Sequence, residues 1–142
     1  MARGKDGKIR LLRGVGLLSA CTDKELVKIA RLMTEQRADA GEVLVREGRP
    51  GREFFLIAEG SVKVSSGGRR RATLGAGEFF GEMSLIDAGP RTATVTAETP
   101  MDLYVLDARE FATLLEESPT VMRKILRALA GRLRAAEKDH SH

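Results

Sequence analysis

Glu82 and Arg91 are the pair whose types and spacing promise chemistry, a carboxylate and a guanidinium set around one tight turn. They belong to the stretch Phe79-Phe80-Gly81-Glu82-Met83-Ser84-Leu85-Ile86-Asp87-Ala88-Gly89-Pro90-Arg91-Thr92-Ala93-Thr94-Val95. A guanidinium is a planar, permanently charged fork suited to a phosphate, and a carboxylate accepts from a sugar hydroxyl. Gly81 adopts backbone angles closed to other residues and lets a ligand approach the main chain. Glu82 to Ile86, through Met83 and Ser84, is too short for a free helix. It suffices for one turn whose leading N–H groups point at an anion. Gly89-Pro90 then reverses and stiffens the chain, and the β-branched run from Thr92 reads as a strand. A ligand carrying both a hydroxyl and a phosphate suits this set.

Other chemistries find no such support. Gly75-Ala-Gly77-Glu-Phe-Phe-Gly81 suggests a dinucleotide-binding turn, but Phe80 occupies the place of the third glycine and no βαβ unit surrounds it. A barrel metal site needs histidines in the barrel, and His140 and His142 lie at the tail, so no metal is expected. No serine or cysteine nucleophile has a histidine in reach, and the chain is read as a non-enzyme. Arg69-Arg70-Arg71 and the later Arg123, Lys124, Arg127, Arg132 and Arg134 are read as solvated faces rather than a nucleic-acid surface.

The elements that must position the stretch are legible in outline. The 142 residues, 42% apolar and 31% charged with a net charge of +4, fit one globular domain. Residues 1–10 are basic, without periodicity, and expected to be mobile. Leu11 to Leu18 is a short amphipathic stretch, and Thr22-Asp-Lys-Glu25 is a capping box opening a helix with Leu26, Ile29, Ala30 and Met33 on its apolar face. From about Glu35 the period drops to two: Val43 to Arg46, Phe54 to Ala58, Ser61 to Ser65, Arg70 to Leu74 and Met101 to Leu106 read as strands with glycines at the reversals. That spacing predicts a mainly β domain, an antiparallel barrel or jelly roll over 35–107, with helical segments over 11–34 and 108–138 and a tail at 139–142.

Ala108 to Glu117 is a short helix. A longer one runs from Thr120 to about Lys138, with Pro119 suited to its first turn. On the latter, Met122, Leu126, Leu129 and Leu133 are spaced as a dimer seam, while Val121 and Ile125 widen the stripe toward a core. Cys21 is the only cysteine, so a disulfide within the chain is excluded and a cytoplasmic location is expected. Leu18-Ser19-Ala20-Cys21 has the shape of a lipoprotein cleavage site, but Arg13, Gly14 and Gly16 interrupt the apolar region before it. No apolar run is long enough to span a membrane.

The stretch 79–95 resembles the phosphate-binding cassette of cyclic nucleotide-binding domains, with the pattern F-G-E-x-[AS]-L, a short gap, then R-[AST]-A-x-V. The resemblance implies a jelly roll and a ligand, cyclic AMP (cAMP) or cyclic GMP (cGMP), with Glu82 on the ribose 2′-hydroxyl and Arg91 on the cyclic phosphate. Gly81, Met83, Ser84 and Thr92 complete the pocket. It also implies that the long C-terminal helix moves on binding and that Arg132 reaches towards Glu82. The implied role is a stand-alone cytoplasmic sensor acting on a protein effector or through a homodimer, with cAMP favoured over cGMP. Two alternatives remain open, an interaction module that has lost the ligand and a regulatory fragment of a transcription factor, channel or enzyme. Activators of this kind carry a helix-turn-helix after the long helix; none is visible here, so sequence-specific DNA binding is not expected.

Overall fold

The computed structural model describes residues 4–87 and 89–140. Helix α1 (Gly4–Arg13), a 3₁₀ turn (Gly16–Leu18) and α2 (Asp23–Leu32) precede eight strands: β1 (Thr34–Ala38), β2 (Val43–Val45), β3 (Glu53–Glu59), β4 (Val62–Ser66), β5 (Arg69–Leu74), β6 (Phe79–Phe80), β7 (Thr94–Ala97) and β8 (Met101–Asp107). A second 3₁₀ turn (Glu82–Leu85) follows β6, and α3 (Ala108–Glu117) and α4 (Pro119–His140) end the described chain. The strands form two four-stranded antiparallel sheets, ordered β1-β8-β3-β6 and β2-β7-β4-β5. The architecture is the expected antiparallel jelly roll with helices at both ends.

The inner strands β3 and β8 of the first sheet are buried on both faces, which explains why β3 reads as a continuous apolar run rather than an alternating one. Phe55, Ile57, Leu103 and Val105 face the second sheet, where they meet Val62, Val95 and Ala97. Phe54, Leu56, Tyr104 and Leu106 face the helices, where they meet Leu12, Leu17, Leu26, Ile29, Phe111, Val121 and Ile125. Two cores share one sheet.

Several local readings change. Residues 1–10 are not a mobile segment throughout: α1 begins at Gly4, and Ile9 and Leu12 are buried against the helical core, with residues 1–3 outside the described residues. The strand expected from Thr92 begins only at Thr94. Pro50 and Pro90 sit opposite each other in an isolated bridge, and Arg91 is tied to the neighbouring loop by Arg91 N–H to Arg49 O at 2.8 Å and Gly48 N–H to Arg91 O at 2.8 Å. Prolines lack the N–H that a continuing ladder needs, so the ladder stops short of the site. On α4 the predicted seam divides: Leu129 packs on the helical core beside Val121 and Ile125, whereas Met122, Leu126 and Leu133 are exposed.

The helices are tied together at their polar ends. The capping box is present: Thr22 N–H donates to Glu25 Oε1 at 2.7 Å, and Glu25 N–H donates to Thr22 Oγ1 at 3.3 Å. The same Glu25 carboxylate accepts from Lys124 Nζ at 2.6 Å, joining α2 to α4. The hydrogen bond from Lys124 holds the Glu25 carboxyl below its ordinary range, with the Thr22 backbone bond adding to the effect. Because the folded-state pKa lies below the unfolded one, the pair stabilises the fold above the unfolded carboxylate range and loses that contribution as pH falls through the folded value. Lys124→Met should therefore cost about 1.5–3 kcal/mol at neutral pH. The difference from the parent should shrink in thermal melts taken below the carboxylate range. A difference that persists undiminished in acid contradicts the assignment.

Candidate functional site

The cassette is anchored by β6, which pairs with β3 so that Phe80 lies opposite Phe55. Their rings stack 4.7 Å apart at 12°, and Phe79 meets Phe54 edge-on at 5.8 Å. One ring pair belongs to each core, so the chain leaves the sheet at Gly81 from a fixed position. Gly81 has φ 80° and ψ 13°, left-handed angles that favour glycine, and it caps the 3₁₀ turn Glu82–Leu85. There is no room for a side chain either: a Cβ on Gly81 would lie 2.7 Å from both Arg91 Nη1 and Glu53 O. Leu85, at the end of the turn, is buried in the helical core.

Arg91 is the centre of the site. Its Nη1 donates to Ser84 Oγ at 2.9 Å and its Nη2 donates to the Glu53 main-chain oxygen at 2.9 Å. Ser84 is buried, and its hydroxyl faces this guanidinium. Behind the guanidinium lies Gly51, where a Cβ would overlap Arg91 Nε, Cζ and Cδ. Gly51 N–H donates to Gly89 O at 3.2 Å, which holds the two loops together. Arg91 makes no ion pair with a described residue. Its pKa is lowered by burial, with the Glu53 charge working in the opposite direction. A guanidinium stays charged regardless. The result is a half-buried cation whose partners are neutral oxygens.

Glu82 faces another way. Its Oε2 accepts from Arg132 Nη2 of α4 at 3.1 Å, and Arg132 Nη1 lies 3.7 Å from Met83 Sδ. The reach of Arg132 towards Glu82 is thus present. Arg132 also packs against Gly16, where a Cβ would stand 3.5 Å from Nη2.

Gly81, Glu82, Met83, Ser84, Arg91 and Thr92 all line one cavity of about 590 Å³. That lies within the range of roughly 300–1,000 Å³ usual for small-molecule sites. Val45, Val64, Leu74 and Val95 supply its apolar wall from the second sheet. Ala88, within the cassette, lies outside the described residues. Two contributors went unseen in the sequence, Gly51 and the main-chain oxygen of Glu53. The punctuation Gly48-Arg-Pro-Gly51 signalled a turn, but nothing local showed that the turn would pack beneath Arg91.

A family model described as "Cyclic nucleotide-binding domain" matches residues 35–118. A putative potassium channel protein of Rhodopseudomonas palustris is 36% identical over 121 residues, covering 83% of this chain and 29% of the channel. The N-terminal domain of a transcriptional regulator from Streptomyces coelicolor A3(2) superposes with a TM-score of 0.86 at 34% identity, covering 93% of this chain and 96% of that one. The regulatory domain of Toxoplasma gondii PKA, solved with cAMP, gives a TM-score of 0.71 at 31% identity, covering 77% of this chain and 43% of that one. The chain spans under a third of the length of the first curated relatives it matches.

The contact between Gly51 and Arg91 makes a stability prediction that needs no ligand. Gly51→Ala should cost about 1–3 kcal/mol, as overpacking does. It should cost much less in an Arg91→Ala background, where the overlapped side chain is gone. Urea denaturation of the four proteins gives the coupling. Additive costs would show that Gly51 does not seat Arg91.

Proposed function

The chain belongs to the cyclic nucleotide-binding domain family, and on that premise we propose that it is a sensor domain that binds a cyclic nucleotide, cAMP in preference to cGMP, and passes the event to its C-terminal helix. The observation that carries this reading is the state of Arg91, a half-buried cation held by Ser84 and Glu53 O without a counter-charge in bonding range. An anion in the cavity supplies that charge, and a cyclic phosphate accepts the guanidinium N–H groups left over from those two bonds. Glu82 uses Oε2 for Arg132, which leaves Oε1 for a ribose 2′-hydroxyl. The Glu82 and Met83 N–H groups, at the start of the turn, have no acceptor within it and suit the same phosphate.

Preference for cAMP rests on the cavity wall. Guanine carries three N–H bonds that need acceptors, its 2-amino pair and a ring N–H, where adenine carries only the two of its 6-amino group, and a buried donor left unpaired costs about 1–3 kcal/mol. Val45, Val64, Leu74 and Val95 offer none, and the exposed Thr92 hydroxyl satisfies one at most. Signal transfer rests on α4, which touches the cassette through Arg132 to Glu82 and Met83. Ordering of Glu82 by a ribose hydroxyl biases the position of that helix, a shift between two arrangements.

The surface that changes is the outer face of α4. Met122, Leu126 and Leu133 are 38%, 59% and 62% exposed, an apolar stripe for a second copy or a protein effector. Leu126→Asp combined with Leu133→Asp should convert a dimer to a monomer in sedimentation experiments while the circular dichroism of the folded chain stays unchanged. A parent that is monomeric at high concentration removes the homodimer and leaves the effector.

Calorimetry tests the ligand. The parent should bind cAMP one to one, and Arg91→Ala should lose at least about 1.5–3 kcal/mol of binding energy, with Arg91→Lys only partly restoring it. Glu82→Gln should lose less, because an amide oxygen still accepts a hydroxyl proton. A folded Arg91→Ala that binds as tightly as the parent contradicts the reading. A parent that binds neither cAMP nor cGMP marks an interaction module that has kept only the fold.

A further inference from the structure

A second depression, of about 500 Å³, meets the nucleotide-sized cavity at Val45 and Arg91 and follows β2 and the loop 46–52. Arg46, Arg49 and Arg52 stand around it, all three exposed. None has a side-chain hydrogen bond or ion pair with a described residue. The acidic neighbours do not pair with them. Glu47 turns its Oε1 to Gly67 N–H at 3.0 Å, in the β4–β5 hairpin, and Glu42 turns its Oε1 to Asp39 N–H at 3.2 Å. Glu53 is the sole carboxylate lining the depression.

The strand beside these arginines is an open edge. β2 ends the order β2-β7-β4-β5, paired with β7 on one side and with no strand on the other. Val43, Leu44 and Val45 are half-buried and line the depression with Pro50. The loop that carries the arginines is held rather than free: Gly48, Arg49 and Gly51 are bonded through their main chains to Arg91 and Gly89. The opposite edge, β5, differs, since Arg70 is paired with Glu98 at 2.6 Å and Arg71 is bonded to Ser66 at 2.9 Å.

We propose that this margin docks a carboxylate-rich, extended segment of a partner protein, laid along the free edge of β2. Three features meet there that such a segment matches together. The unpaired main chain of an edge strand offers ladder hydrogen bonds, the apolar surface of Val43 to Val45 takes alternate side chains, and the arginines take the acid groups between. β2 is only three residues long, so the ladder alone is weak and the charges decide the affinity. A free phosphate would use the arginines and leave the edge and the apolar floor idle. A single-stranded nucleic acid would want aromatic platforms, and no aromatic residue lines the depression.

Fluorescence anisotropy with the full chain and labelled synthetic octapeptides tests the proposal independently of nucleotide binding. An alternating valine–glutamate peptide should bind saturably, and more weakly as salt rises. Valine–lysine and serine–glutamate counterparts should bind at least about tenfold more weakly, as should a valine–glutamate peptide N-methylated at alternate residues. The variant R46S/R49S/R52S, changed only at exposed side chains, should lose about tenfold or more while melting at the parent temperature. Single substitutions serve if the triple variant does not fold. Absence of binding by the valine–glutamate peptide overturns the proposal, as does equal binding to parent and arginine variants. Equal binding of the serine–glutamate peptide overturns it in favour of a bare anion patch. Tighter binding of a single-stranded oligonucleotide than of the peptide overturns it in favour of a nucleic-acid surface.

Discussion

A positive charge held without a counter-charge in bonding range is what the rest of this structure is arranged around. Arg91 is half-buried, its guanidinium fixed by a hydroxyl and a main-chain oxygen that orient it and do not neutralise it. Such a charge is costly to bury unless something pairs with it. Several otherwise unrelated features exist in relation to it. Gly51 leaves the space in which its side chain lies, Gly81 leaves the space beside its Nη1, and Ser84 is buried with its hydroxyl towards it. Two loops distant in sequence are laced together at Arg49, Gly51, Gly89 and Arg91 to keep it in place.

The jelly roll serves that arrangement by burying the inner strands of its first sheet on both faces. The stacked Phe55–Phe80 pair and the edge-on Phe54–Phe79 pair lock the start of the cassette to both cores. Leu85 then inserts the far end of the turn into the helical core, where α3 touches it. The site is therefore mechanically continuous with the helices. Arg132 adds a polar tie from α4 to Glu82, partly exposed at its guanidinium and so modest in energy. Lys124 to Glu25 ties the same helix back to α2, with both side chains mostly buried. Helix α4 is thus held at one point on the cavity lining, Glu82, and at another away from it, Glu25.

What the sequence revealed follows from how local each signal is. The cassette is legible because Gly81, Glu82, Ser84, Arg91 and Thr92 are close in the chain and line one cavity, so a short pattern carries much of the candidate site. The strands with clear alternation or continuous apolar runs were legible for the same reason, as was the Thr22–Glu25 capping box. Long-range packing was not. Nothing near Gly51 announces that Arg91 will pass over it, and nothing in a basic, glycine-containing N-terminus announces the cover that Ile9 and Leu12 find on the sheet. The stripe on α4 fits both a core face and a partner face by spacing, and only the packing separates Leu129 from Leu126 and Leu133.

The measurement that bears most directly on the central claim is an NMR titration of the parent with cAMP, using 5′-AMP as the open-ring control. The account predicts saturable shifts centred on the backbone amides of Gly81 to Ser84 and on the Nε–H of Arg91, with smaller shifts spreading to Arg132 on α4. The open-ring nucleotide should produce them much more weakly. Shifts that miss the cassette, or an Arg91 resonance unmoved at saturation, would contradict the claim that this guanidinium awaits a cyclic phosphate.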